Sequence, residues 1–280
     1  MTLKKVFFYF SITSFFFLSC TQVKEKNNLS DSDNLKDTTK AAYYLNLSDK
    51  YFVANKTGKA KDALEKALKM EANNIEVLMK LAELYLYVEK HQESINYVNK
   101  VLQIDQYNSK AYFIKGMNYK EIGDTSKAIS SMQTAVEQDP DYYAAYMQLG
   151  ILNAAKKNPI ALDYYNNALK INPASKEAYY AKGKFFQDMS QWKTAIETYQ
   201  ELLRLDPDFK NAYYNLGVIY FLHLKLFDKS ISFFDEAIRT DPQYAEAFFA
   251  RGTCYQAMGN MDRASEDLKM AHKINPKISD

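Results

Sequence analysis

Side chains that could support nucleophilic or metal chemistry are few in this 280-residue sequence. The chain has two cysteines, Cys20 and Cys254, and three histidines, His91, His223 and His272. The histidines stand in different parts of the chain and form no His, Asp and Glu cluster at the spacing of metal ligands. The patterns G-x-S-x-G, H-E-x-x-H, C-x-x-C and the P-loop do not occur. We therefore predict that the protein is not an enzyme and holds no metal or cofactor.

The residues around Cys20 have the order of a secretory signal. Lys4 and Lys5 precede an apolar segment, residues 6–18, and Ser19 and Cys20 close it. At about 1.5 Å per residue this segment is much shorter than a bilayer core of about 30 Å. We therefore expect residues 1–19 to be a cleaved signal rather than a spanning anchor.

The sequence Phe17-Leu18-Ser19-Cys20 resembles the bacterial lipobox, although that family usually has Leu where Phe17 stands. The resemblance implies a lipoprotein whose Cys20 carries lipid, detectable as palmitate. Thr21 replaces the Asp that retains many such lipoproteins in the inner membrane, which implies an outer-membrane anchor facing the periplasm. The alternatives are an ordinary cleaved signal and a cytosolic chain with a false signal. Cys254 is then expected to be a small buried residue in a helix.

The segment after Cys20 is polar and the chain as a whole is nearly neutral. Residues 20–40 have almost no apolar side chain, so they predict a flexible linker with a reach of roughly 25 Å. The chain has 36 Lys and Arg against 34 Asp and Glu, and removal of Lys4 and Lys5 with the signal leaves 34 of each. Because no basic patch or run is present, binding to nucleic acid is not expected.

Prolines and glycines recur with a period near 34 residues over the rest of the chain. The recurring prolines, each after Asp or Asn, are Pro140, Pro173, Pro207, Pro242 and Pro276. The recurring glycines are Gly116, Gly150, Gly183, Gly217 and Gly252. Such a period is typical of a solenoid of helix–turn–helix units. One hairpin cannot bury its apolar face, whereas stacked hairpins share a continuous core.

This pattern resembles the tetratricopeptide repeat (TPR) family over residues 41–278. The third unit matches the family at Tyr112, Gly116, Tyr119, Ala128, Met132, Ala135 and Pro140. The last unit matches it at Phe248, Gly252, Tyr255, Ala264, Leu268, Ala271 and Pro276. The resulting units are 41–74, 75–108, 109–142, 143–175, 176–209, 210–244 and 245–278. The resemblance implies an all-α, right-handed superhelical solenoid of seven helix–turn–helix hairpins.

Two units depart in length from the family pattern. The fourth is one residue short, with Pro159 in its turn, and the sixth is one residue long between Leu222 and Phe227. Both changes are predicted to fall between the paired helices, where an insertion or deletion is tolerated. Trp192 stands where the family often has Tyr and is expected to pack within a turn.

In TPR arrays the first helix of each hairpin supplies most of a concave groove. The fifth residue of every unit is apolar here, and the family's groove positions nearby are mostly apolar too. The residues predicted to line the groove are Met79, Phe113, Met117, Met147, Ile151, Tyr180, Lys184, Tyr214, Val218, Phe221 and Phe249. Aromatic residues and Met bind peptides well, but the same row could equally serve packing between helices.

Two functions are consistent with these patterns. The first is a membrane-tethered scaffold that binds protein or peptide partners in the bacterial envelope and aids assembly of an envelope complex. The second is a carrier that holds a small apolar ligand in the concave face. An open groove predicts a peptide and a closed, dry pocket predicts a small molecule. The sequence leaves the oligomeric state and the identity of the partner open.

Overall fold

The computed structural model describes residues 37–278, and this part of the chain is helical throughout. It contains fourteen α-helices and no strand, which confirms the all-α fold of seven helical hairpins. The predicted signal, Cys20 and most of the linker lie outside the described residues. Helix α1 spans Asp37–Val53 and so begins within the segment predicted as linker.

The described chain falls into two compact units, residues 37–72 and residues 73–278. The first unit is a single hairpin of α1 and α2, Thr57–Met70. Helix α2 buries Ala60, Ala63, Leu64 and Ala67. These residues recur at intervals of three and four and therefore share one helix face.

The second unit contains six hairpins that follow one another along the chain. Their helices are α3 Ile75–Tyr87, α4 His91–Ile104, α5 Ser109–Ile122, α6 Thr125–Gln138, α7 Tyr143–Ala155, α8 Ala161–Ile171, α9 Lys176–Asp188, α10 Trp192–Leu205, α11 Lys210–Val218, α12 Phe227–Thr240, α13 Ala245–Ala257 and α14 Met261–Ile274. Within each hairpin the two helices pack together, and each second helix also packs on the first helix of the next hairpin. None of the helices within residues 37–278 is long and apolar enough to cross a bilayer.

The periodic Asp-Pro and Asn-Pro pairs have a structural role at the end of each second helix. At five junctions the side-chain oxygen before the proline accepts a hydrogen bond, at 2.9–3.2 Å, from the backbone N–H two residues later. The acceptors are Asp139, Asn172, Asp206, Asp241 and Asn275. This Asx turn reverses the chain where proline has stopped the helix. Asp105 makes the same bond to Tyr107 although Gln106 replaces the proline.

The periodic glycines mark the closest approach of the two helices in a hairpin. A Cβ atom on Gly183 would lie 2.7 Å from the ring of Tyr199, and one on Gly217 would lie 2.5 Å from the ring of Phe234. Both rings are completely buried. The glycines are therefore required for close packing inside helices, where glycine otherwise lowers stability.

Aromatic and aliphatic side chains fill the joints between hairpins. Between hairpins five and six, the buried cluster consists of Phe186, Ala195, Tyr199, Leu202, Ala212, Leu216 and Ile219. The last hairpin is also closed by a buried ion pair, in which Arg251 donates to both carboxylate oxygens of Asp267 at 2.7 Å. Charge on the buried Asp267 is thus fully paired.

The extra residue of the sixth unit changes the helix geometry itself. Helix α11 ends at Val218 and continues as a π-helical turn, Ile219–His223, before the chain turns into α12. Lys225 takes a positive φ of 55° in that turn. The prediction placed the insertion between Leu222 and Phe227, but its effect begins three residues earlier, because a π turn absorbs one residue while keeping the following segment close to the hairpin.

Candidate functional site

The predicted groove residues lie on the first helices of hairpins two to seven. Met79 is on α3, Phe113 and Met117 on α5, Met147 and Ile151 on α7, Tyr180 and Lys184 on α9, Tyr214 and Val218 on α11, Phe221 in the π turn, and Phe249 on α13. Together they define the first-helix face, a name used below for this set of eleven residues.

The first-helix face is only partly exposed. Ile151 and Lys184 are open to solvent, and Tyr180, Tyr214, Val218, Phe221 and Phe249 are half-buried. Met79, Phe113 and Met147 are almost fully buried, and Met117 has no exposed surface at all. A groove ligand cannot reach Met117, which argues against its place in the groove. The surface of this face that a ligand could contact is therefore concentrated in hairpins four to seven.

Three aromatic residues of the first-helix face form joints to the following hairpin. The ring of Phe113 lies 5.1 Å from that of Tyr142, and the ring of Tyr180 lies 5.4 Å from that of Phe209. Tyr214 and Tyr244 are also 5.4 Å apart. Such tilted pairs contribute about 0.5–1.5 kcal/mol each beyond the area they bury.

Sequence reasoning missed the partners in these joints. Tyr142, Phe209 and Tyr244 each stand two residues after a periodic proline and directly before a first helix. The recurring pattern Asp-Pro-x-aromatic was therefore a usable signal. The joints show that the aromatic row serves packing between hairpins, and the half-buried members also present one side to solvent.

A polar network lies beside the aromatic row at the centre of the second unit. The hydroxyl of Tyr199 donates to Oε1 of Gln187 at 3.0 Å and accepts from Nδ2 of Asn215, also at 3.0 Å. Nδ2 of Asn215 lies 3.4 Å from the hydroxyl of Tyr180. Asn215 is buried, so its amide is anchored by the hairpin before it. The network fixes the orientation of Tyr180, which is on the first-helix face.

Burial keeps three tyrosines of the joints and the polar network protonated. It raises the pKa of Tyr142, Tyr199 and Tyr244 far above the usual value for a phenol. Their hydroxyl groups therefore remain hydrogen-bond donors throughout the physiological pH range.

Charged side chains near the first-helix face are mostly paired. Lys184 forms an ion pair with Asp188 one turn later on α9. Lys110 reaches Glu83 of the preceding hairpin at 2.5 Å. Lys120 donates to Gln148 of the following hairpin at 2.9 Å, and burial lowers its pKa. Because both signs are present, the face has no field of a single sign.

Each histidine has a structural partner. Nδ1 of His91 lies 3.2 Å from Oδ1 of the buried Asn118, and Nδ1 of His272 lies 2.8 Å from the carbonyl oxygen of Leu268. The ring of His223 stacks on Trp192 with the centroids 3.6 Å apart. Within residues 37–278, no three His, Cys, Asp or Glu side chains are grouped as metal ligands would be.

Two cavities in the described chain lie away from the first-helix face. One of about 440 Å³, open to solvent, is lined by Met261, Leu268, His272 and neighbouring residues of the last hairpin. The other, of about 160 Å³, lies in the first hairpin against Tyr44, Tyr51 and Lys66. Neither contains a residue of the predicted groove.

Family comparison agrees with the helical pattern. Tetratricopeptide repeat models match residues 75–108, 109–142, 211–244 and 245–278, and a further TPR repeat model matches residues 187–223. These matches cover more than half of the chain. The protein therefore belongs to the tetratricopeptide repeat family, whose stacked hairpins provide extended binding surfaces.

Individual relatives are more distant. The chain is 28% identical to protein O-mannosyl-transferase TMTC1 of Homo sapiens over 137 residues. This match covers 47% of this chain and 16% of the relative. The chain thus spans about a sixth of that relative's length.

Solved TPR structures share the fold. The C-terminal part of a TPR repeat-containing protein from Cytophaga hutchinsonii superposes with a TM-score of 0.71 at 16% identity, covering 84% of this chain and 96% of that one. YrrB, described as a TPR protein with an unusual peptide-binding site, gives a TM-score of 0.52 at 22% identity, covering 64% and 93%.

Proposed function

We propose that this protein is a scaffold that binds an extended or helical segment of a partner protein along the first-helix face of hairpins four to seven. The observation that carries the proposal is the row of half-buried aromatic and aliphatic side chains there, in which Tyr180 and Tyr214 are held in place by their joints. Residues such as Tyr180 and Tyr214 offer rigid contact area at a low cost in side-chain entropy. The peptide-binding site described for YrrB is consistent with this use of the fold.

We expect charge to contribute little to the choice of the partner segment. The ion pairs Lys184–Asp188 and Lys110–Glu83 leave little unpaired charge on the face. A partner segment would therefore be selected by apolar anchors placed at the repeat spacing. Polar backbone groups of that segment could pair with the exposed edge of Asn and Gln side chains such as Gln187 and Gln148.

The carrier alternative requires an enclosed apolar pocket in the groove. The cavities of about 440 Å³ and about 160 Å³ lie instead in the last and first hairpins. The half-exposed surface of the first-helix face matches an elongated ligand better than a small enclosed one.

We also propose that the scaffold is attached to the outer membrane, facing the periplasm, through lipid on Cys20. The support is the order of residues 1–20, with two lysines, an apolar segment and the lipobox-like ending. A lipid anchor followed by a polar linker would hold the repeats near the membrane while partners assemble on them. Aid to the assembly of an envelope complex is the role that this arrangement suits best.

Site-specific photocrosslinking in intact cells tests the binding face. A photoreactive benzoylphenylalanine at Ile151, which is 41% exposed, or at Phe221 is expected to capture a partner protein. Matched controls place the same residue at Ile104 and Leu205, which are 45% and 44% exposed at the ends of second helices. Alanine at Tyr180 or Tyr214 is a poorer probe, since it would also remove a joint between hairpins.

Capture from Ile151 and Phe221 but not from the two controls supports the proposal. Equal capture from all four positions would move recognition away from the first-helix face. A small apolar molecule that copurifies with the chain, with no adduct at any position, would favour the carrier.

A further inference from the structure

Three leucines are exposed together at the turn of hairpin six. Leu222, Leu224 and Leu226 are 48%, 38% and 46% exposed. Leu222 lies within the π turn created by the one-residue insertion, and Leu224 and Leu226 follow that turn. Single π turns inside helices occur frequently at functional sites. In the turns of hairpins three and seven a glycine takes the positive φ of the reversal, whereas Lys225 takes it in hairpin six.

The leucine turn is built against the preceding hairpin. The ring of His223 stacks on Trp192 at a centroid distance of 3.6 Å and an interplanar angle of 12°. The N–H of Leu226 donates to the carbonyl oxygen of Tyr220 at 2.9 Å, and the rings of Phe221 and Phe227 lie 5.8 Å apart. The exposed leucines are therefore carried by a supported turn, and the half-buried Trp192, which also packs against the buried cluster between hairpins five and six, contributes to that support.

Positive charge flanks these apolar side chains. Lys193 follows Trp192, Lys225 lies between Leu224 and Leu226, and both are exposed. Lys229 extends over the ring of Tyr220 at 5.6 Å. On the acidic side, Asp188 is paired with Lys184, and Asp228 is exposed in the first turn of α12. The surface thus combines a small apolar tip with an excess of lysine.

We propose that the turn edge, defined as Trp192, Leu222, Leu224 and Leu226 with Lys193 and Lys225, docks on the surface of an anionic lipid bilayer. The leucine side chains would enter the boundary between headgroups and acyl chains next to Trp192, while the lysine ammonium groups contact lipid phosphates. This pairing of an apolar tip with flanking lysines is the composition of interfacial membrane-binding segments. A groove-shaped protein surface would bury three leucines equally well, but the flanking lysines favour an anionic plane. The inference does not depend on lipid at Cys20.

Trp192 is the single tryptophan of the chain and therefore reports on this surface directly. The full chain with Cys20→Ser, which cannot carry lipid on residue 20, is mixed with phosphatidylcholine–phosphatidylglycerol vesicles containing brominated phosphatidylcholine. Docking of the turn edge is expected to quench Trp192 fluorescence. Attachment through the amino-terminal segment alone would leave Trp192 unquenched, so the two modes are distinguished.

Two sets of variants locate the contact. Leu222→Ser, Leu224→Ser and Leu226→Ser together should abolish quenching. Lys193→Gln with Lys225→Gln should weaken vesicle binding about twenty-five-fold, since each lysine near an anionic surface changes affinity about fivefold. The matched control is Ile104→Ser with Leu205→Ser. These two aliphatic side chains are about as exposed as the three leucines, but they lie at the ends of second helices, away from the turns within the hairpins. This control should be quenched like the parent chain. Circular dichroism confirms that every variant is folded.

Absence of quenching in the parent chain would overturn the proposal, as would equal quenching of the triple serine variant. Unchanged quenching in vesicles of phosphatidylcholine alone would show that the lysines do not contribute to docking, and this result would also overturn the proposal. If a photoreactive residue at Leu224 captures a protein in cells while Trp192 stays unquenched by vesicles, the turn edge is a protein interface instead.

Discussion

At the scale of single residues, small side chains decide how closely the helices approach. Gly183 and Gly217 each face a fully buried ring of the paired helix, so even one methyl group would collide with it. The same close approach of the helices explains why alanines such as Ala128 and Ala237 are completely buried. Large residues then occupy the joints between hairpins, where the room is greater.

Replacement of Gly217 by Ala tests this close packing. The new Cβ would meet the Phe234 ring at 2.5 Å. We expect a loss of about 1–3 kcal/mol from overpacking, reduced by about 1 kcal/mol from the better helix propensity of Ala. Urea unfolding followed by circular dichroism and by Trp192 fluorescence measures the change.

Gly58→Ala is the matched control for this substitution. Gly58 also lies in a helix, but a Cβ there would have no neighbour within 4 Å. It should leave stability unchanged or raise it slightly. A Gly217→Ala chain as stable as the parent would show that the Phe234 ring can move aside.

At the scale of elements, the connections between hairpins are fixed by side-chain oxygens of Asp or Asn. Asp241 ends α12, where Oδ1 accepts from the N–H of Gln243 at 2.9 Å and Oδ2 accepts from Nζ of Lys210 at 2.5 Å. Lys176 and Asp206 repeat the ion pair one hairpin earlier at 2.8 Å. One residue thus turns the chain and ties the turn to the beginning of its own hairpin.

Substitutions at Asp241 separate these two contributions. Asp241→Asn keeps the turn, because Asn172 and Asn275 make the same bond elsewhere, and removes the ion pair. We expect a loss at pH 7 of at most about 1 kcal/mol, since the pair is partly exposed to solvent. Asp241→Ala also removes the hydrogen bond and should lose about 0.5–1.5 kcal/mol more. Urea unfolding of both variants checks the order.

The Asp241 ion pair also predicts a dependence on pH. The hydrogen bond with Lys210 lowers the pKa of Asp241 in the folded chain. A carboxylate with a lowered folded pKa stabilises the fold above its unfolded pKa of about 3.9 and loses that effect as the pH falls through the folded value. The stability difference between the parent and Asp241→Asn should therefore be constant above about pH 5 and shrink below about pH 4. A difference that grows in acid would contradict this assignment.

At the scale of the whole molecule, binding surfaces are provided by repetition. The first-helix face extends over several hairpins because each hairpin contributes equivalent positions of its first helix. The turn edge instead arises at one hairpin, through an insertion that the repeats can tolerate. The two surfaces adjoin at hairpin six, where Phe221 of the first-helix face directly precedes Leu222 of the turn edge.

Lipid attachment is tested on the entire chain in cells. If Cys20 carries lipid, radiolabelled palmitate should be incorporated into the parent and be lost completely with Cys20→Ala. Cys254→Ala is the control, since that cysteine is buried and free. Fractionation should place the parent in the membrane pellet. Label that persists in Cys20→Ala would exclude the lipoprotein.

The sequence by itself determined the fold class, because the periodic prolines and glycines act locally. Proline stops a helix and a preceding Asp or Asn turns the chain wherever they occur, and amphipathic spacing then sets which helix face is buried. Even the insertion in the sixth unit was visible as a break in that period. The Asp-Pro-x-aromatic pattern also contains the joint partners Tyr142, Phe209 and Tyr244, although only the structure shows which rings they contact.

Only the tertiary structure decided which predicted groove residues are accessible. Met117 and Ile151 stand at equivalent places in neighbouring units, yet the first is fully buried and the second is 41% exposed. Their exposure depends on side chains supplied by other hairpins, which no local pattern contains. The stacking of His223 on Trp192 is likewise a contact between two units. Burial and exposure are properties of the assembled array, because each surface of a hairpin is completed by its neighbours.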